Sequence, residues 1–351
     1  MMSSLGGCVQ ACAAFRTATS RPGDLDMVFA VEGEEIPVKL SGFSCQEVAG
    51  FESFGRLAFL SSLAFEDLTS IYGEAFLSEE KVAFIMVLPD PVERPLLEEY
   101  ESKYDKKGDE QFFEKFFRLT SELKDIEKIV VQDSHAGVIS AVNQAKEQLE
   151  SGKFDYCIIG SADSYIDEPS QEWLYGTGQL KTPDGSDGLM PGEGASFLLL
   201  EKDTTAKDRN AEILAYIGPV ATGKEDYAYN EKEFTPTGFH LSDALATVLE
   251  TETCPDKQID LIVNDLNGQK IRAQEYGNTL VRIGGQNNSV LNSEQWIPAI
   301  SFGDVGAATG GFAICCVLRG FARNYVLCDE VIVCSASFSG LRGALSLKKS
   351  S

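Results

Sequence analysis

Histidine is nearly missing from this chain, with two among 351 residues, and tryptophan is as rare. Cys8 and Cys12 are spaced like half of a metal site, but no second pair stands at ligand spacing, so no metal is expected. Basic residues are also scarce. Lys and Arg number 30 against 54 Asp and Glu, a formal net charge of -24. Such a chain repels nucleic acid, anionic lipid and acidic carrier proteins at long range, so no nucleic-acid or membrane partner is expected. No basic segment leading into a sustained apolar one reads as a signal peptide. The longest uncharged apolar stretch, Val305 to Leu318, is too short to span a bilayer and reads as a buried helix. The expected location is therefore the cytoplasm.

Nucleotide-binding patterns are missing too. Gly303, Gly306, Gly310 and Gly311 lack both the G-x-G-x-x-G spacing and a G-K-[ST] ending, so close helix packing explains them and no cofactor is expected. The DGSDG run after Thr182 has the wrong acidic spacing for a calcium loop. Nine cysteines, an odd number, lie mostly in apolar stretches such as DYCIIG and FAICCVL, and read as free thiols in a reducing compartment.

What the chain does contain is a repeat of pattern. In one half a strand from Lys128 to Val131 runs into the small-residue elbow DSHAG, a helix, the buried strand YCIIG and the strand GASFLLLEK. In the other a strand from Ile297 to Ser301 runs into GDVGAATGG, a helix, the buried strand VIVCS and finally RGALSLKK. Strand, crossover helix and continuous apolar strand predict parallel sheets covered on both faces. The boundaries expected are 1–204 and 205–351, with a polar hinge at 203–210 and a surface insertion at about 89–127. Within that insertion QFFEKFFRL has aromatics at helical spacing; it reads as an amphipathic helix capping the core, with Phe112 to Phe117 also considered as anchors for a partner.

These motifs resemble those of β-ketoacyl synthases in the thiolase superfamily. VQDSHAGVISAVNQAKEQLESGKFDYCIIGSAD is similar to the segment that carries the nucleophilic cysteine, and GLMPGEGASFLLLEK to the Gly-Glu-Gly-Ala strand. NDLNG, GDVGAATGG and ASFSGLRGALSL stand where that family has its Asn-Ala-His-Gly loop, its Gly-His-x-x-Gly-Ala-Ala-Gly run and its Phe-Gly-Gly-x-Asn gate. The resemblance implies a duplicated α/β fold layered α/β/α/β/α, with two mixed, mainly parallel sheets. The family's first strand is apparently missing, because MMSSLGG resembles the loop that follows it.

Carried over position by position, the resemblance implies lost chemistry. The cysteine falls on His135, the two histidines on Asn267 and Asp304, the lysine on Ala299 and the glutamate on Phe312. Imidazole is a poor acyl store, Asn267 cannot exchange a proton, and Asp304 puts negative charge where an oxyanion should develop. Ser134, Phe312, Phe338 and Gly340 are expected at the pocket or gate, and Glu193 and Gly306 as structural residues. Three readings follow: a non-catalytic scaffold binding a protein, an unusual acyltransferase using His135, Asp304 and Ser134, or the inactive half of a heterodimeric synthase. The chain also resembles short ketosynthase-like proteins of bacterial type VI secretion clusters, which implies an effector or adaptor as partner. Pairing through Ile126 to Val131 would give a homodimer.

Overall fold

The structure, a computed structural model, describes all residues except 31–32, 34, 74–76, 78–80, 92, 95–100, 102–105, 121–125, 226–234, 251–256 and 351. The first sheet holds β1 (Met2–Ser3), β2 (Gly6–Gly7), β5 (Val82–Val87), β6 (Glu127–Val131), β7 (Tyr156–Ser164) and β8 (Glu193–Glu201) in the order β2-β1-β8-β7-β5-β6. The second holds β9 (Ala215–Lys224), β10 (Leu261–Val263), β11 (Glu294–Trp296), β12 (Glu330–Ala336) and β13 (Leu341–Lys349) in the order β11-β10-β12-β13-β9. In each sheet a parallel trio, β6-β5-β7 or β11-β10-β12, is followed by an antiparallel strand, β8 or β13. A small hairpin, β3 (Gly23–Phe29) with β4 (Val38–Gly42), stands apart.

Sandwiched between the sheets are α4 (Gly137–Glu150) and α10 (Thr309–Ala322). Both are apolar over much of their surface because both of their sides face a sheet: α10 buries Phe312, Ile314, Cys316 and Val317. Burying each large aliphatic or aromatic side chain is worth about 1.5–3 kcal/mol, so this shared layer is the main stabiliser of the duplicated fold. Outside the first sheet lie α2 (Ser53–Tyr72) and α3 (Gly108–Leu119), and outside the second α7 (Phe239–Leu249) and α8 (Lys270–Gly284). Five layers result, as the motif resemblance implies. α1 (Cys8–Arg16) packs against α10, and α5 (Glu168–Gly176) contacts β3.

Three local expectations need correction. Ile297 to Ser301 is not a strand: β11 ends at Trp296 and the chain turns through the short helix α9 (Ala299–Phe302). Ile297 is only half-buried and Ile300 is exposed, so the apolar run here does not mark a core strand. The polar stretch at 203–210 is likewise not an open hinge but begins with α6 (Asp203–Asp208), closed by an i,i+4 Lys207–Asp203 contact of 2.5 Å. In α3, Phe112 and Phe116 are fully buried and Phe117 nearly so. They stack with one another and on Phe84 and Phe197. They cap the core and are not free to anchor a partner.

The halves differ at one edge. In the second sheet β9 covers β13 with register partners from Leu341↔Lys224 to Lys349↔Ala215. In the first, among the described residues, the equivalent edge of β8 is met by β1, through Met2↔Ala195 and Ser3↔Gly194.

Candidate functional site

Each central helix begins at an elbow just beyond the parallel strands, and the two elbows repeat each other. Ser134 (φ +50°) opens a single 3-10 turn, Ser134–Ala136, that leads into α4; Gly306 (φ +49°) opens Gly306–Ala308, leading into α10. A non-glycine residue held in the left-handed region costs of order 1–3 kcal/mol, so Ser134 marks a strained apex. His135, matched in sequence to the nucleophile, is the residue after that apex. Glycine is needed at Gly306 for two reasons: the positive φ, and the Asp163 carboxylate, into which any Cβ would run.

The structure brings His135, Asn267 and Asp304 into one hydrogen-bonded knot. His135 Nε2 lies 2.9 and 3.1 Å from the Asp304 carboxylate oxygens. Asn267 Nδ2 donates to Asp304 Oδ2 at 2.6 Å, and the Gly306 N–H donates to Oδ1 at 2.8 Å. Burial alone would raise the Asp304 carboxyl, but His135, by charge and hydrogen bond, together with Arg272 and Asn267, holds it well below the usual carboxylate range. An ionised carboxylate only accepts, so His135 Nε2 carries the shared proton. Nδ1 then faces Ser134 Oγ at 3.2 Å.

Around this knot, N–H groups that could receive an anion already have side-chain acceptors. The Ala307 N–H donates to Asp163 Oδ2 at 2.8 Å, and the Ala136 N–H to Ser337 Oγ at 2.9 Å. With Gly306 bound to Asp304, donors at both helix starts are capped from within, whereas an oxyanion hole needs them aimed at empty space. Asp163 is itself paired with Arg94. Burial pushes its carboxyl up in spite of Arg94 and the N–H groups of Ala307 and Ser164. Phe338 closes the knot edge-on, its ring centroid 5.6 Å from that of His135, with the Arg272 guanidinium 4.8 Å from the Phe338 ring centroid. Arg272 is held by Asp265 at 2.8 Å, and the Ser339 N–H donates to Glu93 Oε1 at 2.6 Å. The void beside Asp304 measures about 10 Å³, the size at which a cavity barely admits one water.

Other expected residues fall nearby or in the frame. Glu193 is fully buried, accepting from Arg56, from the Cys45 N–H at 2.7 Å and from Ser164 Oγ at 2.9 Å. Phe312 is core: it packs edge-to-face on Phe302 at 5.2 Å and stands against Gly194. Gly340 turns the chain into β13 with φ +103°, and Ala299 starts α9. Asp163, Ser337, Arg94, Arg272 and Glu93 were not anticipated. Asp163 was visible as the acid closing GSAD, but its partner Ala307 is 144 residues away. Among the described residues no group of three or more His, Cys, Asp or Glu could hold a metal, and their eight cysteines are free thiols. No helix among them is long and apolar enough to cross a membrane.

No family model matches the chain. A stretch of 137 residues is 28% identical to a putative polyketide β-ketoacyl synthase 1 of Streptomyces cyaneus, covering 35% of this chain and 32% of that protein. The match thus spans about a third of the relative's length. Among solved structures, a ketosynthase from module 6 of the bacillaene synthase of Bacillus subtilis 168 superposes with a TM-score of 0.73 at 15% identity, over 98% of this chain and 70% of the other. The ishigamide ketosynthase/chain length factor gives 0.66 at 16% identity over 100% and 97%. AntDE:AntF, a type II polyketide acyl-carrier protein in complex with its ketosynthase bound to the hexaketide, gives 0.77 at 14% identity over 99% and 97%. With its duplicated sheets and shared helical layer, the chain has the thiolase-like fold of the ketosynthases.

Proposed function

We propose that this chain is a non-catalytic ketosynthase-fold subunit that acts by binding another protein. One observation carries the reading: His135, Asp304, Asn267, Asp163 and Ser337 hydrogen-bond within the chain, and the void beside Asp304 holds about 10 Å³. Such a centre stabilises a scaffold and offers no acyl group a place to attach. The solved relatives whose names include a chain length factor or an acyl-carrier complex support a partner drawn from synthase assembly. The secretion-cluster resemblance supports an effector or adaptor instead. In either case the -24 charge favours a basic or neutral partner in the cytoplasm, with association that weakens as salt rises.

The exposed edge for pairing is β6, which ends the first sheet with Glu127 and Lys128 exposed and Ile129 and Val130 half-buried. Pairing of two β6 strands supports a dimer, either of this chain with itself or with a ketosynthase-fold relative. A second reading rests on the Ser134–His135–Asp304 relay, whose order of contacts is that of a serine nucleophile, base and orienting acid. Incubation with acetyl and malonyl thioesters followed by intact-mass measurement separates the two. The scaffold reading expects no adduct and a light-scattering mass of two chains. An adduct that Ser134→Ala abolishes supports the relay and overturns it.

A further inference from the structure

Four of the eight described cysteines meet where α1 packs on α10. Cys8 and Cys12 stand one turn apart on α1, with their Sγ atoms 3.9 Å from each other. Cys315 and Cys316 face them from α10. Cys12 Sγ donates to the Cys315 carbonyl at 3.7 Å, the Cys8 and Cys315 thiols share a hydrogen bond, and so do those of Cys12 and Cys316. Buried thiols ordinarily serve as small apolar packing. Three of these fit that description, since Cys12 and Cys316 are fully buried and Cys315 nearly so, but Cys8 is only half-buried.

Cys8 also differs in position. It is the first residue of the nine-residue helix α1, where the helix dipole favours a thiolate. Hydrogen bonds from Cys12 and Cys315, with Arg319 nearby, hold the Cys8 thiol well below its usual range against the opposing effect of burial. Cys315 is pushed up, first by its bond with Cys8 and then by burial, so it keeps its proton while Cys8 is charged.

We infer that Cys8 is a peroxide-reactive cysteine and Cys315 its resolving partner, the two forming a reversible disulfide that staples α1 to α10. The Cys8 thiolate attacks one oxygen of hydrogen peroxide; the O–O bond breaks, hydroxide leaves and Cys8 becomes a sulfenic acid. Cys315 Sγ then attacks the Cys8 sulfur and passes its proton to the departing hydroxyl; the S–O bond breaks, water leaves and the S–S bond forms. The two sulfurs lose two electrons, and the peroxide is reduced to water. Converting Cys8 to a neutral sulfenic acid removes the charge that kept Cys315 protonated, so the first step prepares the second. Cys12 is the poorer resolver, because side chains one turn apart on a helix hold their Cβ atoms about 5–6 Å apart, beyond the roughly 3.5–4.5 Å that a disulfide allows. None of these residues belongs to the His135 knot, so the inference stands or falls independently of the non-catalytic reading.

The test is peptide mapping of the full chain after treatment with hydrogen peroxide, with the remaining thiols capped by N-ethylmaleimide. The expected product is a Cys8–Cys315 crosslink that dithiothreitol removes, and Cys8 should be oxidised at least about tenfold faster in the folded chain than in urea. In Cys315→Ala the reaction should stop at a Cys8 sulfenic acid that dimedone traps, and Cys8→Ser should abolish the crosslink. Should a variant fail to fold, the ratio of rates in the unsubstituted chain and the identity of its crosslink still decide. Equal rates in folded and unfolded chain overturn the inference, as does a crosslink from Cys8 to Cys12 or one at Cys315 that survives Cys8→Ser.

Discussion

The two ends of α10 place opposite demands on a partner. At its N-terminal end the Gly306 and Ala307 N–H groups, the Asp304 and Asp163 carboxylates and the His135 ring all have partners inside the chain. At its C-terminal end Leu318 and Ala322 face a cavity of about 770 Å³ beside a strand edge. The first end is filled by side chains that satisfy one another, and the second opens on a cavity. A conserved architecture therefore says little about where a chain binds; the state of its donors and edges says more.

The sharpest way to break this contrast is to unseal the N-terminal end. Asp163→Ala leaves Arg94 buried without its carboxylate and Ala307 without an acceptor, and should cost about 3–5 kcal/mol in urea unfolding. Asp304→Ala should cost a similar amount by leaving the His135 Nε2 and the Gly306 N–H without their carboxylate acceptor. If either loss is below about 1 kcal/mol, the knot does not hold the elbows together.

The elbow pair gives a smaller test of opposite signs. Gly306→Ala forces a Cβ onto Asp163 at positive φ and should destabilise by about 2 kcal/mol or more. Ser134→Gly should relieve backbone strain and change stability by less than about 1 kcal/mol, in the stabilising direction if the 3.2 Å contact to His135 is weak. Equal losses in both variants would contradict the repeat of backbone roles.

Acid should act on the same knot. Because the Asp304 carboxyl is held low in the folded chain, its contribution is fully present above the ordinary carboxylate pKa of about 4 and is lost as pH falls through the lower folded value. Asp163 is shifted the other way, so its protonation favours the folded state as pH falls and offsets part of that loss. Asp304→Asn should therefore flatten the decline in stability below about pH 4, measured by denaturant midpoint across the acid range. An unchanged slope would mean that other carboxylates control acid unfolding. The smallest expected effect is at the open end, where Ile71→Glu should move stability by no more than about 0.5 kcal/mol.

Much of the frame was legible because it rests on continuous apolar runs. β7, buried at all nine positions, and α10 could be read from YCIIG and FAICCVL alone, since continuous apolar runs mark strands and helices covered on both sides. Their duplication then implied the layers. Ile297 to Ser301 misled for the same reason, as a short apolar run fits a buried helical turn as well as a strand. The helical spacing of the aromatics in α3 reported a core-facing side, and they pack against α2 and the first sheet. The meeting of His135 with Asp304 followed from the repeat, since both stand at the equivalent elbows. The strained apex at Ser134 carries no sequence signal, because a positive φ at a non-glycine residue leaves no mark on the residue pattern. Asp163 and Ser337 act across more than a hundred residues of chain, and local patterns carry no trace of such pairings.

The central claim is that the elbow of Ser134 and His135 is sealed against acyl chemistry. Intact-mass measurement of the purified chain after incubation with an excess of acetyl and malonyl thioesters tests it most directly. The account predicts a single unmodified mass, unchanged in Ser134→Ala. A covalent acyl adduct mapping to Ser134 or His135 would contradict it.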